Sequence, residues 1–211
     1  MFNYEKYAEI RDFIKKTKKN TQIISISKNH SIEAVNNAIQ RGIRIFGENR
    51  VLEAKNKFEN LKIKHSDIEL HLTGPLQSNK TKIALDLFDV FHTIDREKIV
   101  NELTKYQDKI SEKKFFVQVN TGKEDSKSGI YPENLKQFIH FCHNEKNLKV
   151  HGLMCIPPIN DDPFKHFQHL NLMASENKIQ NLSIGMSNDY QTALEFNPTY
   201  IRLGTILFGE R

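Results

Sequence analysis

Short runs of apolar, mostly β-branched residues alternate along this chain with longer stretches in which apolar positions recur every three or four residues. Eight runs have strand character, at 23–27, 43–46, 69–72, 90–93, 115–119, 150–153, 182–184 and 200–203. Most are nearly continuously apolar, the pattern of parallel strands covered on both faces. The stretches between them carry helix punctuation. Ser31 can cap a helix bearing Ile32, Val35 and Ile39, and Gly42 can end it. Asp95 stands as a cap before Ile99, Leu103, Tyr106 and Ile110, which share one face. Pro132 suits the first turn of a helix that buries Leu135, Phe138, Ile139 and Cys142. Pro163 opens another, with Phe164, Phe167, Leu170 and Met173 inward. A further helix within residues 1–20 precedes the first strand, and Phe2, Ile10, Phe13 and Ile14 form its buried side.

Eight strand–helix units with no linker, low-complexity tract or repeat predict one domain over residues 1–211. The expected class is α/β, a single (β/α)8 TIM barrel with an extra N-terminal helix. A doubly wound open sheet is the competing architecture. It calls for a glycine-rich first turn, and Lys28-Asn29-His30-Ser31 is not one.

Length and composition narrow the class. A chain of 211 residues, 38% of them hydrophobic, suits one soluble domain with a large core. No apolar stretch approaches membrane-spanning length, and Met1-Phe2-Asn3-Tyr4-Glu5 lacks the apolar core of a signal peptide, so the expected location is cytoplasmic. Cys142 and Cys155 have no metal or redox spacing and read as buried small hydrophobes. The net charge of +5 raises the question of nucleic acid. The lysines are interleaved with acids, however, and the one dense run (Lys15, Lys16, Lys18, Lys19) fits a solvated helix end. No basic and aromatic platform for nucleic acid is present.

A barrel of this kind carries its chemistry where strands run into helices. The loops at those points are distinctive: Lys28-Asn29, Gly47-Glu48-Asn49, Thr73 to Lys80, Asn120 to Gly129, Gly185 to Asp189, and Gly204-Thr205. The opposite turns, such as Glu112-Lys113-Lys114, are plain solvated punctuation. Lys28 closes the run Ile23 to Ser27, where poor solvation lowers an ammonium pKa and yields a free amine that condenses with aldehydes. A snorkelling strand-end lysine is the alternative. Ser187 and Gly204-Thr205 follow the last two strands, where barrels often hold phosphate, although each also fits an ordinary cap or turn.

Seven longer segments carry a family resemblance: ISISK ending at Lys28, FGENR at 46–50, HLTGPLQSNK at 71–80, VNTGKEDSKSG at 119–129, GLMCIPP at 152–158, LSIGMSND at 182–189 and IRLGTILFGER at 201–211. From about residue 21 onward the chain resembles the pyridoxal 5′-phosphate (PLP) homeostasis proteins, relatives of the N-terminal barrel of alanine racemase. Departures are Thr73 for a branched aliphatic, Ile184 for Met, and Asn197 for Gly; Asn tolerates the left-handed backbone that Gly would supply. The resemblance implies that Lys28 forms a Schiff base with PLP, and that Ser187, Gly204 and Thr205 hold its phosphate. It further implies that Arg202 lies near the pyridine nitrogen and that Asn49 and His71 line the ring's surroundings. An arginine there disfavours ring protonation and weakens PLP as an electron sink. A rim arginine paired with Glu48 or Asp189 is the alternative.

Racemase-like enzymes add a C-terminal β-domain and a tyrosine as second base. The chain ends at Arg211 after its eighth unit, and Tyr190 is the one tyrosine expected near the rim. The expected function is therefore PLP holding and homeostasis without efficient turnover. PLP-dependent apo-enzymes are the implied recipients, with no nucleic-acid or membrane partner, and the protein is expected as a monomer or weak dimer. A slow amino-acid racemase is the runner-up, and a Schiff-base aldolase on a phosphorylated sugar comes next. Lys80, Lys123 and Lys127 are rim cations suited to receiving the anionic cofactor. A metal site is disfavoured, because His140/His143 and His166/His169 read as surface residues of outer helices, and His65 and His92 have no evident partners.

Overall fold

The computed structural model describes residues 2–17 and 19–210; Met1, Lys18 and Arg211 lie outside that range. The chain begins with α1 (Tyr4–Lys16) and β1 (Gln22–Ile26), then α2 (Ile32–Gln40), β2 (Ile45–Glu48), α3 (Val51–Lys64) and β3 (Glu69–Leu72). It continues through α4 (Thr81–Leu87), β4 (Val90–Ile94), α5 (Glu97–Leu103), α6 (Gln107–Ile110) and β5 (Lys114–Gln118). The remainder is α7 (Leu135–His140), β6 (Gly152–Met154), α8 (Pro163–Glu176), β7 (Asn181–Ser183), α9 (Tyr190–Leu194), β8 (Tyr200–Leu203) and α10 (Thr205–Phe208). The strands pair in sequence order, all parallel, and β8 returns to β1 to close the barrel. The expected (β/α)8 architecture is the observed one.

Two apolar layers follow from the period of two along each strand. Residues facing outward join the helices in one large core. Those facing inward form a separate cluster that includes Ile24, Ile26, Val90, Phe116, Met154 and Tyr200. Glycines make room for the large inward residues. A Cβ on Gly152 would stand 2.2 Å from the Phe116 ring, and one on Gly47 would stand 2.4 Å from Ile26.

The punctuation is mostly as expected. The Ser31 hydroxyl accepts from Ala34 N–H, Gly42 adopts φ +84°, and Asn197 takes the left-handed φ of +48°. Pro163 opens α8 behind the Asp162 cap, and both cysteines are buried. Five details differ. Asp95 caps no helix; it is buried and paired with Arg96, the residue that precedes α5. The segment from 97 to 110 breaks in two, because the Thr104 hydroxyl bonds back to the Val100 carbonyl where the turn begins. Phe13 is 48% exposed on the outer side of α1. Phe164 lies at the surface, its ring tilted against that of Phe196 with centroids 5.1 Å apart. Strands β2 and β6 start two residues later than the apolar runs, because Ile43 and Val150 are buried outside the ladder. Among the described residues no helix is long and apolar enough to cross a membrane.

Candidate functional site

A cavity of about 270 Å³ opens at the C-terminal ends of the strands. Strand parity decides what lines it. Ile24 and Ile26 face the barrel interior, so Lys28 is the next inward position of β1. The same step carries Asn49 in from β2, and β8 brings Arg202 inward two residues after Tyr200. Ser187, Gly204 and Thr205 complete one side. Six of the seven expected site residues therefore meet in one cavity.

The backbone around Lys28 is clamped on both sides. Ser27 N–H bonds to Gly47 O, and the Lys57 ammonium donates to Ser27 O (2.8 Å) and His30 O (3.1 Å). Asn29, at φ +61°, donates its N–H to Glu53 Oε1 at 2.6 Å. Lys57 itself is paired with Glu48 (2.7 Å) and Glu53 (2.9 Å). Glu48 is fully buried, accepts from the Ser27 hydroxyl, and leaves its Oε2 without a hydrogen bond. Burial pushes the Glu48 carboxyl above the usual range against the pull of Lys57.

Arg202 is 5% exposed and, among the described residues, bonded to neutral oxygens: Ser183 O (2.7 Å), Ser183 Oγ (2.8 Å) and Cys155 O (2.9 Å). Burial lowers its pKa from the ordinary arginine value. The alternative of a rim arginine paired with an acid does not hold, since Glu48 belongs to Lys57 and Asp189 accepts from Met186 N–H. Gly185 turns the chain after β7 at φ +88°, where a Cβ would stand 2.6 Å from Ala193 Cβ. That turn brings Ser187 to the start of α10, where its hydroxyl accepts from the Ile206 N–H at 3.5 Å. The cavity lining thus contains two cationic side chains, Lys28 and Arg202, with hydroxyls and amides but no Asp or Glu. Such a site favours an anion.

His71 does not line the cavity. It lies one inward layer deeper, fully buried, bonded to His92 at 2.8 Å and to Glu69 at 2.7 Å. His92 has partners after all: besides His71 it meets Ser183 Oγ at 2.9 Å. His166 is not a surface residue either. It is buried between Thr121 and Asp161, at 3.0 Å from each, beside the β5 loop. Among the described residues no group of three candidate ligands could hold a metal. Tyr190 is buried at the start of α9 and does not reach the cavity, while Lys123 and Lys127 are paired with Glu133 and Glu124. His30, Ile156 and Met186 also line the cavity, beyond the site residues that the sequence singles out. Parity extended from Met154 would have found Ile156.

Burial lowers the pKa of His71 and, further, of His92. As pH falls below about 6.5 the unfolded chain takes up protons that these folded histidines refuse, so acid costs stability. Each contributes at most about 1.4 kcal/mol per pH unit in that window. The urea midpoint is expected to fall between pH 7.5 and 5.5, less steeply in His92→Gln; a flat profile contradicts neutral burial.

Comparison with known proteins agrees with this geometry. The family model for the alanine racemase N-terminal domain matches residues 5–211. The pyridoxal phosphate homeostasis protein of Vibrio cholerae is 38% identical over 207 residues, covering 93% of this chain and 88% of its own. That of Aquifex aeolicus is 35% identical over 201 residues, covering 90% and 87%. Among solved structures, PipY of Synechococcus elongatus with PLP bound superposes with a TM-score of 0.86 at 30% identity, covering 97% of this chain and 99% of PipY. An alanine racemase of Clostridium difficile shares the fold at a TM-score of 0.72 and 12% identity, with 91% of this chain and 53% of that one covered. The chain belongs to the pyridoxal phosphate homeostasis protein family, built on the alanine racemase N-terminal barrel.

Proposed function

We propose that this protein binds PLP in the cavity as a Schiff base on Lys28, and that it stores and hands on the cofactor with little turnover of its own. The observation that carries the reading is the lining: Lys28 and Arg202 converge on hydroxyl-bearing Ser187 and Thr205 with no carboxylate among them. PLP offers what such a lining would take, a doubly charged phosphate and an aldehyde that condenses with a primary amine. Ser187, Gly204 and Thr205 would hold the phosphate, and Asn49 would stand beside the ring. Arg202 would face the pyridine nitrogen. Held by neutral partners, it keeps its charge there and disfavours ring protonation, which limits carbanion chemistry.

Racemisation needs an acid or base on each face of the reacting carbon, and no tyrosine lines the cavity. PipY with PLP bound and the names of the Vibrio and Aquifex relatives support the assignment. PLP-dependent apo-enzymes are the recipients in this reading, served by a monomer or weak dimer in the cytoplasm. Titrating PLP into the purified protein is expected to raise a long-wavelength absorbance band that saturates at one equivalent. L- and D-alanine are expected to turn over no faster than with free PLP. Absence of the band contradicts the cofactor, and sustained turnover contradicts the carrier role.

A further inference from the structure

Below the cavity, polar residues run through the otherwise apolar barrel. From Arg202 the contacts pass to Ser183 Oγ (2.8 Å), His92 Nδ1 (2.9 Å), across that ring to His71 Nδ1 (2.8 Å), and on to Glu69 Oε1 (2.7 Å). Glu69 begins β3 on the face opposite the cavity, and its side chain is 32% exposed. Phe116 stacks on His92 at 4.9 Å, and Tyr200 meets both histidine rings edge-on. The rings are therefore walled in by aromatic side chains.

Burial keeps both histidines neutral, and with neutral rings the two ends fix the direction of every bond. A guanidinium only donates, and an ionised carboxylate only accepts. His71 lowers the pKa of Glu69, so that end is ionised. His71 then donates from Nε2 to Glu69 and accepts at Nδ1 from His92 Nε2–H. His92 accepts at Nδ1 from the Ser183 hydroxyl, whose lone pairs take the Arg202 donor. In this arrangement both histidines are neutral and protonated at Nε2. Other charges near the rings are Lys114 at the start of β5 and Asp89 before β4, both on the Glu69 side.

We propose that Ser183, His92 and His71 are positioning residues for Arg202, forming a one-directional column of hydrogen bonds that fixes its guanidinium under the cavity and couples it to Glu69 on the opposite face. Aligned bonds of this kind reinforce one another. The consequence for PLP rests on the reading that PLP occupies the cavity, whereas the column itself does not.

Histidine ¹⁵N spectra of the protein without PLP read the column directly. Two neutral Nε2–H histidines are expected at pH 7, and both resonances should shift in Glu69→Gln. A cationic or Nδ1–H form of either histidine at pH 7 overturns the proposal. The coupling is read from the holoprotein as the PLP release rate and the position of its absorbance band. Glu69→Gln and Ser183→Ala are expected to speed release by about 2- to 30-fold and to move the band. Asp67→Asn, which alters another carboxylate of the Glu69 face, should do neither. Wild-type release and spectrum in Glu69→Gln overturn the coupling, even if Ser183→Ala is too unstable to test. If the wild-type protein takes up no PLP, the cofactor reading fails and the histidine spectra alone decide the column.

Discussion

Lys28→Ala is expected to leave the barrel folded and to abolish covalent capture of PLP. The Lys28 side chain is half-buried at the rim, and the contacts that hold its loop come from neighbours: Lys57 on Ser27 O and Glu53 on Asn29 N–H. Removing it should therefore leave the loop anchored by those contacts. Arg202, Ser187 and Thr205 remain, so the variant should still bind PLP, but reversibly and removably by dialysis. The absorbance band should vanish, and borohydride should trap nothing. Trapping in the variant at wild-type yield would place the imine on another lysine.

The largest stability effect is expected away from the cavity, at Lys57→Met. Its ammonium sits among Glu48, Glu53 and the carbonyls of Ser27 and His30, and Glu48 is fully buried. Removing the cation strands a buried carboxylate, a change that costs about 3–5 kcal/mol. Small domains have about 5–15 kcal/mol in total, so the variant should unfold at much lower urea concentration. The cause can be isolated with Lys57→Met/Glu48→Leu, which removes both charges and should regain much of the loss, as a double-mutant cycle would report. A Lys57→Met protein within about 1 kcal/mol of wild type would mean that the pair behaves as a solvated surface bridge. Because the same ammonium ties down both sides of Lys28, the single variant should also capture PLP poorly where it remains folded.

The barrel was legible in the sequence because parallel strands covered on both faces must be apolar throughout, and eight such runs leave few ways to close. The ends of the elements were less so. Ile43 and Val150 are as buried as strand residues yet lie before the ladder, and burial is what an apolar run reports. The cavity was legible because its residues follow strand ends in loops that look unlike the opposite turns. His71 was misplaced for a reason of parity. It shares a motif and an inward face with Thr73, which lines the cavity, but lies one layer lower. Ser183 and His92 complete a polar column whose members come from different strands, and single-chain spacing cannot show that they meet. Helical spacing places Lys57 with Ala54, Phe58 and Leu61 on the buried face of α3, but nothing in sequence shows that its ammonium meets Glu48 and the carbonyls of the β1 loop.

The most direct test of the account is peptide mapping of the wild-type protein after PLP loading and borohydride reduction. A single labelled peptide carrying the modification on Lys28 is the predicted result. Label on another lysine, label spread over the surface lysines, or no label at all would contradict it.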